Sequence, residues 1–342
     1  MKSLIRLLII VFAFQFTLDV YAGGGNRTGT GGATQLLIPV GPRGIAMGES
    51  NIATSSGVEA IFWNPAGAAR MSSSTDVMFS HMSYIADIGV EYGAISANFE
   101  GFGVISLGLK SLSIGDIMET TTETPDGTGA TFSPQMLTAG LSYSRQLTDR
   151  ISVGLTANVI METLGDVSTS GIAFNAGVIY ETMGDIDGLS MGIVMKNVGP
   201  QMQYGGSGLL VLADAQGQNR PPQYYKIESA PFDLPSSFEM GLGYKMNVGE
   251  INALQFSGAY QTNNYSGDEY KLGAEYGYNK MFFARFGYQG APQVSSENYL
   301  YGVTAGAGIH YDLSGVALTV DYAFRYAKYF NGNHIVALSL GF

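Results

Sequence analysis

Few residues in this chain could do acid–base, nucleophilic or metal chemistry, and they are scattered. The three histidines, His81, His310 and His334, have no partner base or second ligand at a helical or strand spacing. Each reads as a rim or lumen residue of a larger surface. Gly188-Leu189-Ser190-Met191-Gly192 matches by letter the turn that presents a nucleophilic serine, but that chemistry needs a strand, a sharp turn and a helix in succession. Here the letters straddle a turn and the start of a strand. Asp116, Glu119, Glu123 and Asp126 offer hard oxygen ligands for a divalent cation. Their spacing fits no calcium loop, and a solvated acidic face accounts for them. Cysteine is absent, which removes thiolate ligands and disulfides. The expectation is a protein that is not an enzyme, with no catalytic residue, cofactor or metal.

Elements rather than reactive groups carry the information. The last ten residues place Val336, Leu338, Leu340 and Phe342 on one strand face, and Ala337, Ser339 and Gly341 on the other. The same alternation recurs in segments of about ten residues, the mark of a transmembrane antiparallel β-barrel. Strands are expected at 75–84, 88–99, 102–110, 134–146, 150–162, 171–181, 189–197, 236–246, 251–262, 268–277, 281–289, 300–311, 315–325 and 333–342. That is about fourteen, an even number as a single-chain bacterial barrel requires. Tight turns at 100–101, 147–149, 247–250, 278–280 and 312–314 alternate with longer pieces at 111–133, 163–170, 198–235, 290–299 and 326–332. Short periplasmic turns and long outer loops produce that asymmetry. Charges are expected inside, at Glu91, Glu162, Glu239, Lys245, Lys271, Glu275, Arg285, Asp321 and Arg325, because a Lys or Arg facing lipid at the midplane costs ~2–4 kcal/mol.

Composition agrees with an all-β membrane fold. Charged residues are 13% of the chain, against ~25% in soluble domains. Glycine, at 47 residues, and the 21 Tyr and 18 Phe suit small inward faces and a lipid-facing surface. The net charge of −11 argues against nucleic acid as a partner. At the amino end, Lys2 and Arg6 precede an apolar run over 7–16, and Val20-Tyr21-Ala22 ends in a small residue. This reads as a signal peptide over 1–22, cleaved after Ala22. The chain then divides into three regions: the signal peptide 1–22, an arm and lumenal hatch over 23–74, and an outer-membrane barrel over 75–342. The surroundings expected of it are outer-membrane lipid and the barrel assembly machinery of a Gram-negative bacterium.

Within 23–74, residues 23–32 are rich in Gly and Thr, and the stretch from Pro39 to Gly48 is dominated by small residues without strand alternation. A compact piece with a short helix near 58–62 could fold inside the barrel as a plug. Trp63, the only Trp, would anchor it beside the turn at Asn64-Pro65, or sit in an interfacial belt. The loop 198–235 carries Tyr204, Arg220, Tyr224, Tyr225 and Phe232. Loops of that length are usually functional or disordered, and exposed aromatics with Arg favour protein interfaces. An ordered lid over the barrel mouth is the other reading. Leu338, Leu340 and the terminal Phe342 resemble the signal by which outer-membrane precursors are recognised for assembly.

Ala60-Ile61-Phe62-Trp63-Asn64-Pro65-Ala66-Gly67 resembles the amino-terminal hatch motif of the FadL-type superfamily. Gly44-Ile45-Ala46-Met47-Gly48, Gly127-Thr128-Gly129-Ala130-Thr131-Phe132, Thr148-Asp149-Arg150 and Lys196-Asn197-Val198-Gly199-Pro200 sharpen the resemblance toward the PorV/PorQ branch. It implies a fourteen-stranded outer-membrane barrel with an internal hatch, in which Trp63, Asn64, Pro65, Ala66 and Gly67 form the hatch motif. On the PorV side it implies a non-enzymatic role in type IX protein secretion, binding cargo or a translocon protein through outer loops. On the FadL side it implies a transporter of hydrophobic ligands, for which the charged lumen is a poor lining.

Overall fold

The computed structural model describes residues 31–214, 221–295 and 297–342. The signal peptide, the start of the arm and Arg220 lie outside the described residues. Among the described residues, fourteen strands build one wall: β1 Thr75–Ser83, β2 Gly89–Phe99, β3 Gly103–Ser113, β4 Gln135–Gln146, β5 Ile151–Leu164, β6 Val167–Glu181, β7 Leu189–Val198, β8 Ser237–Val248, β9 Asn252–Asn263, β10 Glu269–Tyr278, β11 Phe282–Gly290, β12 Tyr301–Leu313, β13 Val316–Ala327 and β14 Asn333–Gly341. Each pairs antiparallel with its neighbours, and β1 also pairs with β14, from Asp76 opposite Gly341 to Ser83 opposite His334. The sheet therefore closes on itself. Closure matters because hydrocarbon offers no partner to an unpaired backbone edge.

Alternation along each strand decides which side chains meet lipid. In β5, Leu155, Val159 and Met161 are exposed on the outer face while Ser152, Gly154, Thr156 and Glu162 are buried inside. In β13, Val320, Tyr322 and Tyr326 point outward, and Asp321, Ala323, Arg325 and Ala327 point inward. Two of the expected inward charges behave otherwise. Glu91 faces outward, its side chain 59% exposed beside His81. The reason is the lumen: Val90, Tyr92 and Ala94 turn inward because an apolar segment fills the barrel there. Lys245 keeps the inward register but lies exposed near the tight turn that follows β8.

The connections also differ from expectation at one place. The piece 163–170 is not a loop, since β5 and β6 pair up to Leu164 opposite Val167 and leave only Gly165-Asp166 between them. Gly165 has φ 56°, which a two-residue hairpin turn demands. The extended tip is supported laterally by Gly205–Gly206, which pairs with Val167 and Ser168.

Thr34 to Arg70 contains no strand. It is a chain of short helical turns: Thr34–Leu37, Pro42–Ala46, Asn51–Ala53, Gly57–Glu59, Ala60–Trp63 and Pro65–Arg70. Pro42 and Pro65 start turns where a missing N–H costs nothing. Gly41 at φ 82° and Gly48 at φ 62° bracket the Pro42–Ala46 turn. The segment touches strands all around the ring: Ala46 and Gly48 meet β12, Ser50 meets β9, Asn64 meets β6 and β7, and Ile45 and Trp63 pack with Met82, Val90 and Ile335 of β1, β2 and β14. It lies inside the barrel.

Candidate functional site

The small inward residues of the wall decide what the lumen can hold. At Gly154 an added Cβ would stand 2.3 Å from the Pro65 carbonyl carbon, and at Gly177 it would stand 2.0 Å from Asn64 Oδ1. Gly192 is as close to the Ile52 carbonyl and Gly273 to the Met47 carbonyl, at 2.4 Å each. The inward glycines of successive strands are thus the surface on which the lumenal backbone rests.

Asn64 is fully buried, and its side-chain amide donates to the carbonyl oxygens of Ile52 at 2.9 Å, Val178 at 3.2 Å and Ile193 at 3.4 Å. Its Oδ1 accepts from the Ala66 amide at 3.2 Å and so caps the Pro65–Arg70 turn. The Pro65 carbonyl accepts from Ser144 Oγ at 2.6 Å. Trp63 is 1% exposed and stacks edge-on with Phe62 at 5.1 Å, while Gly44 leaves room for its indole. The structure therefore places Trp63 in the lumenal core, not in an interfacial belt. Ala66 and Gly67 are buried in the same turn.

The four charges of the segment 41–70 all face partners, and sequence reasoning passed over them. Arg43 pairs with Glu275 at 2.9 Å, and Glu275 in turn pairs with Arg285 at 2.6 Å. Glu49 accepts from Arg325 at 2.9 Å and lies 3.4 Å from Lys271. Glu59 accepts from the Gly44 amide at 2.8 Å, and Arg70 pairs with Glu181. Burial pushes the Glu49 carboxyl up, but Lys271 and Arg325 outweigh it and hold the group below the usual carboxylate range. Burial dominates at Glu59 and raises it, against the pull of Arg43. Glu275 holds Arg43 firmly protonated despite burial. One signal could have found Glu49: Arg325 has no carboxylate partner on the wall among the described residues and needs a counter-charge from whatever fills the lumen.

The loop 198–235 divides into two parts. Its base is a lid: Met202 bridges Phe232 through paired backbone hydrogen bonds, Tyr204 stacks on Phe232 at 5.5 Å, and the Tyr204 hydroxyl donates to the buried Glu162. Ile160, an apolar residue on the otherwise polar inner face of β5, packs with Met202, Ala33 and Leu36 beneath it. Tyr204 and Phe232 therefore cover the lumen instead of facing outward. The far part is a hairpin, Leu210–Ala213 with Gln223–Lys226, whose Leu212, Tyr224 and Tyr225 are all exposed, Tyr224 by 72%.

The reactive-looking residues do not assemble. Ser190 lies within β7 and donates to the Gly243 carbonyl rather than to a base. His81 pairs with Glu91 at 2.6 Å and His334 with the Tyr322 hydroxyl at 2.8 Å, both outside the wall, while His310 bonds Thr319 at 2.7 Å. Asp116 accepts from Ser133, and among the described residues no three potential ligands gather for a metal. At the end of the chain, Leu338 and Phe342 face outward, and the Phe342 amide donates to the Thr75 carbonyl at 2.8 Å.

A closed fourteen-strand wall, apolar outside and filled by an amino-terminal segment, defines an outer-membrane β-barrel with the FadL-like fold. The Pseudomonas putida toluene transporter TodX superposes with TM-score 0.57 at 13% identity, over 88% of this chain and 97% of that one. The Ralstonia pickettii toluene transporter TbuX gives 0.53 at 14%, over 89% and 98%, and a Pseudomonas aeruginosa FadL homologue gives 0.52 at 11%, over 89% and 98%. At these identities the likeness is one of fold. The chain belongs to the family described as type IX secretion system protein PorV, which matches residues 22–213. A comparison with curated proteins gave no match.

Proposed function

We propose that this barrel serves type IX protein secretion as a non-enzymatic binding component of the outer membrane, holding a protein partner, cargo or translocon, on its outer hairpin. The observation that carries the reading is the exposed pair Leu210–Ala213 and Gln223–Lys226 with Tyr224, Tyr225, Leu212 and Ile227. Aromatic anchors at such a surface dominate binding energy, and the lid beneath gives the hairpin a fixed base. Membership of the PorV family supports the same role. We read the segment 34–70 as a hatch, with Trp63, Asn64 and Pro65 as its anchor.

Passage of a hydrophobic ligand through the lumen is the weaker reading, because Glu49, Lys271, Glu275, Arg285 and Arg325 line the interior that such a ligand would cross. Two sets of variants separate the readings. Tyr224→Ala with Tyr225→Ala should abolish capture of secretion cargo or translocon while leaving a folded barrel, since losing such anchors costs ~2 kcal/mol or more. Trp63→Ala with Pro65→Ala should raise small-solute leakage and leave capture intact. Should capture survive the tyrosine changes while uptake of a long-chain hydrophobic compound fails in the lumenal variant, the transporter reading replaces the carrier reading.

A further inference from the structure

We propose that the lumenal cavity between Phe62 and the inner faces of β3 to β7 is a binding site for one small anion, of halide to acetate size, held by the Lys110 ammonium and the Thr138 hydroxyl. The cavity measures about 60 Å³ and is bounded by Phe62, Lys110, Thr138, Asn158, Asn175 and Lys196. One water needs roughly 10–15 Å³ by the same measure, so the cavity has room for a compact anion with water beside it.

The charge count around the cavity is unbalanced. Lys196 is neutralised by Glu239 at 2.8 Å. Lys110 is 4% exposed and donates to the carbonyl oxygens of Gln35 at 2.6 Å and Ile38 at 3.0 Å, and among the described residues no carboxylate stands within ion-pair distance of it. A buried ammonium without a counter-charge is expensive, and carbonyl dipoles answer that cost only in part. The ammonium has three hydrogens and two of them are used. It also lies 5.0 Å from the Phe62 ring centre, so the aromatic face supplies partial compensation but no charge.

A second, independent group points to the same space. Thr138 is opposite Lys110 across the β3–β4 ladder, is 7% exposed, and its hydroxyl has no hydrogen-bond partner among the described residues. An orphaned buried hydroxyl beside a buried lysine that no carboxylate faces is what an anion would satisfy at one stroke, since a bound anion also favours the charged form of that lysine. Asn158 and Asn175 add amide side chains on the same wall, Leu36, Ile61 and Tyr92 supply apolar surface, and the lining holds no carboxylate. The Phe62 ring lies beside both Lys110 and Lys196 as an apolar wall, and the small volume restricts the class to compact monoanions.

The full-length barrel in detergent supplies the test. Crystals soaked in bromide should show an anomalous peak within hydrogen-bond distance of both Lys110 Nζ and Thr138 Oγ1. Thermal release of the lumenal segment, followed by the fluorescence of Trp63, should occur several degrees higher in chloride, bromide or acetate than in gluconate, which is too large to enter, at equal ionic strength. Lys110→Met should abolish that difference. Thr138→Val, which keeps the shape and removes only the hydroxyl, should weaken the apparent affinity for the small anions by about tenfold while leaving the transition in gluconate unchanged. Equal transitions in all four salts with only water density in the cavity would overturn the proposal. So would a bromide peak without any anion-specific shift, which is binding at crystal concentration only.

Discussion

Asn64 shows how much one side chain can do when its surroundings are glycines. Its amide reaches two adjacent strands and its oxygen caps a turn, an arrangement possible only because Gly177 leaves it the space. Gly177→Ala would place a methyl group 2.0 Å from Asn64 Oδ1, and overpacking of this kind costs about 1–3 kcal/mol. The expected outcome is a barrel that still shifts on heating in gel electrophoresis but whose Trp63 emission moves to the red. A variant with native emission would show that the Asn64 contact does not hold the segment. Trp63 is a clean reporter because it is the only Trp in the chain. At the same scale, Glu91 corrects a general rule. Charges go inward only where the lumen is polar, and opposite the apolar face of the lumenal segment Val90 and Tyr92 take the inward places.

At the scale of the element, the segment Thr34 to Arg70 is held by charge as well as by shape. Glu49, lying between Arg325 and Lys271, titrates below the usual carboxylate range. A depressed folded pKa contributes stability that is complete above the unfolded value, ~4.3 for Glu, and is lost as the pH falls through the folded value. Glu59, raised chiefly by burial, acts in the opposite sense, its contribution fading as the pH rises through its folded value. Acidification below about pH 4 should therefore loosen the segment while the wall persists, as Trp63 fluorescence against retained strand circular dichroism would report. In Glu49→Gln the acid transition should be smaller, and an unchanged acid transition in that variant would remove Glu49 from the account. The outer loop obeys a different economy. Its base folds because Tyr204, Met202 and Phe232 bury surface over the lumen, and the hairpin strands Leu210–Ala213 and Gln223–Lys226 stay exposed, with none of the described residues covering them.

For the whole molecule, stability rests on closure between the first and last strands. β14 pairs with β1 on one side and β13 on the other, and the terminal Phe342 returns its backbone to Ser74 and Thr75. Deleting residues 338–342 removes half of that ladder and leaves two strand edges unpaired in hydrocarbon, at several kcal/mol per unsatisfied group. Such a protein should accumulate unfolded in the periplasm, measured by fractionation and the absence of a heat-modifiable band. Recovery of a heat-modifiable truncated barrel from the outer membrane would mean that closure does not depend on this strand.

The sequence by itself determined the wall. Period-two alternation is local, so residues such as Leu155 beside Thr156, or Val320 beside Asp321, declare their faces without knowledge of any partner strand. Fourteen strands and most of their limits were legible for that reason, and the motif at Trp63-Asn64-Pro65 was legible through its resemblance to a known hatch sequence. Tertiary structure alone decided what depends on residues far apart in the chain. The outward Glu91, the lid made by Tyr204 and Phe232 over Ile160, and the pairing of Arg43 and Glu49 with wall charges more than two hundred positions away all depend on how the lumen is filled. Alternation carries no information about that filling, because the side chains that meet inside the barrel come from opposite walls and from a segment with no period of its own.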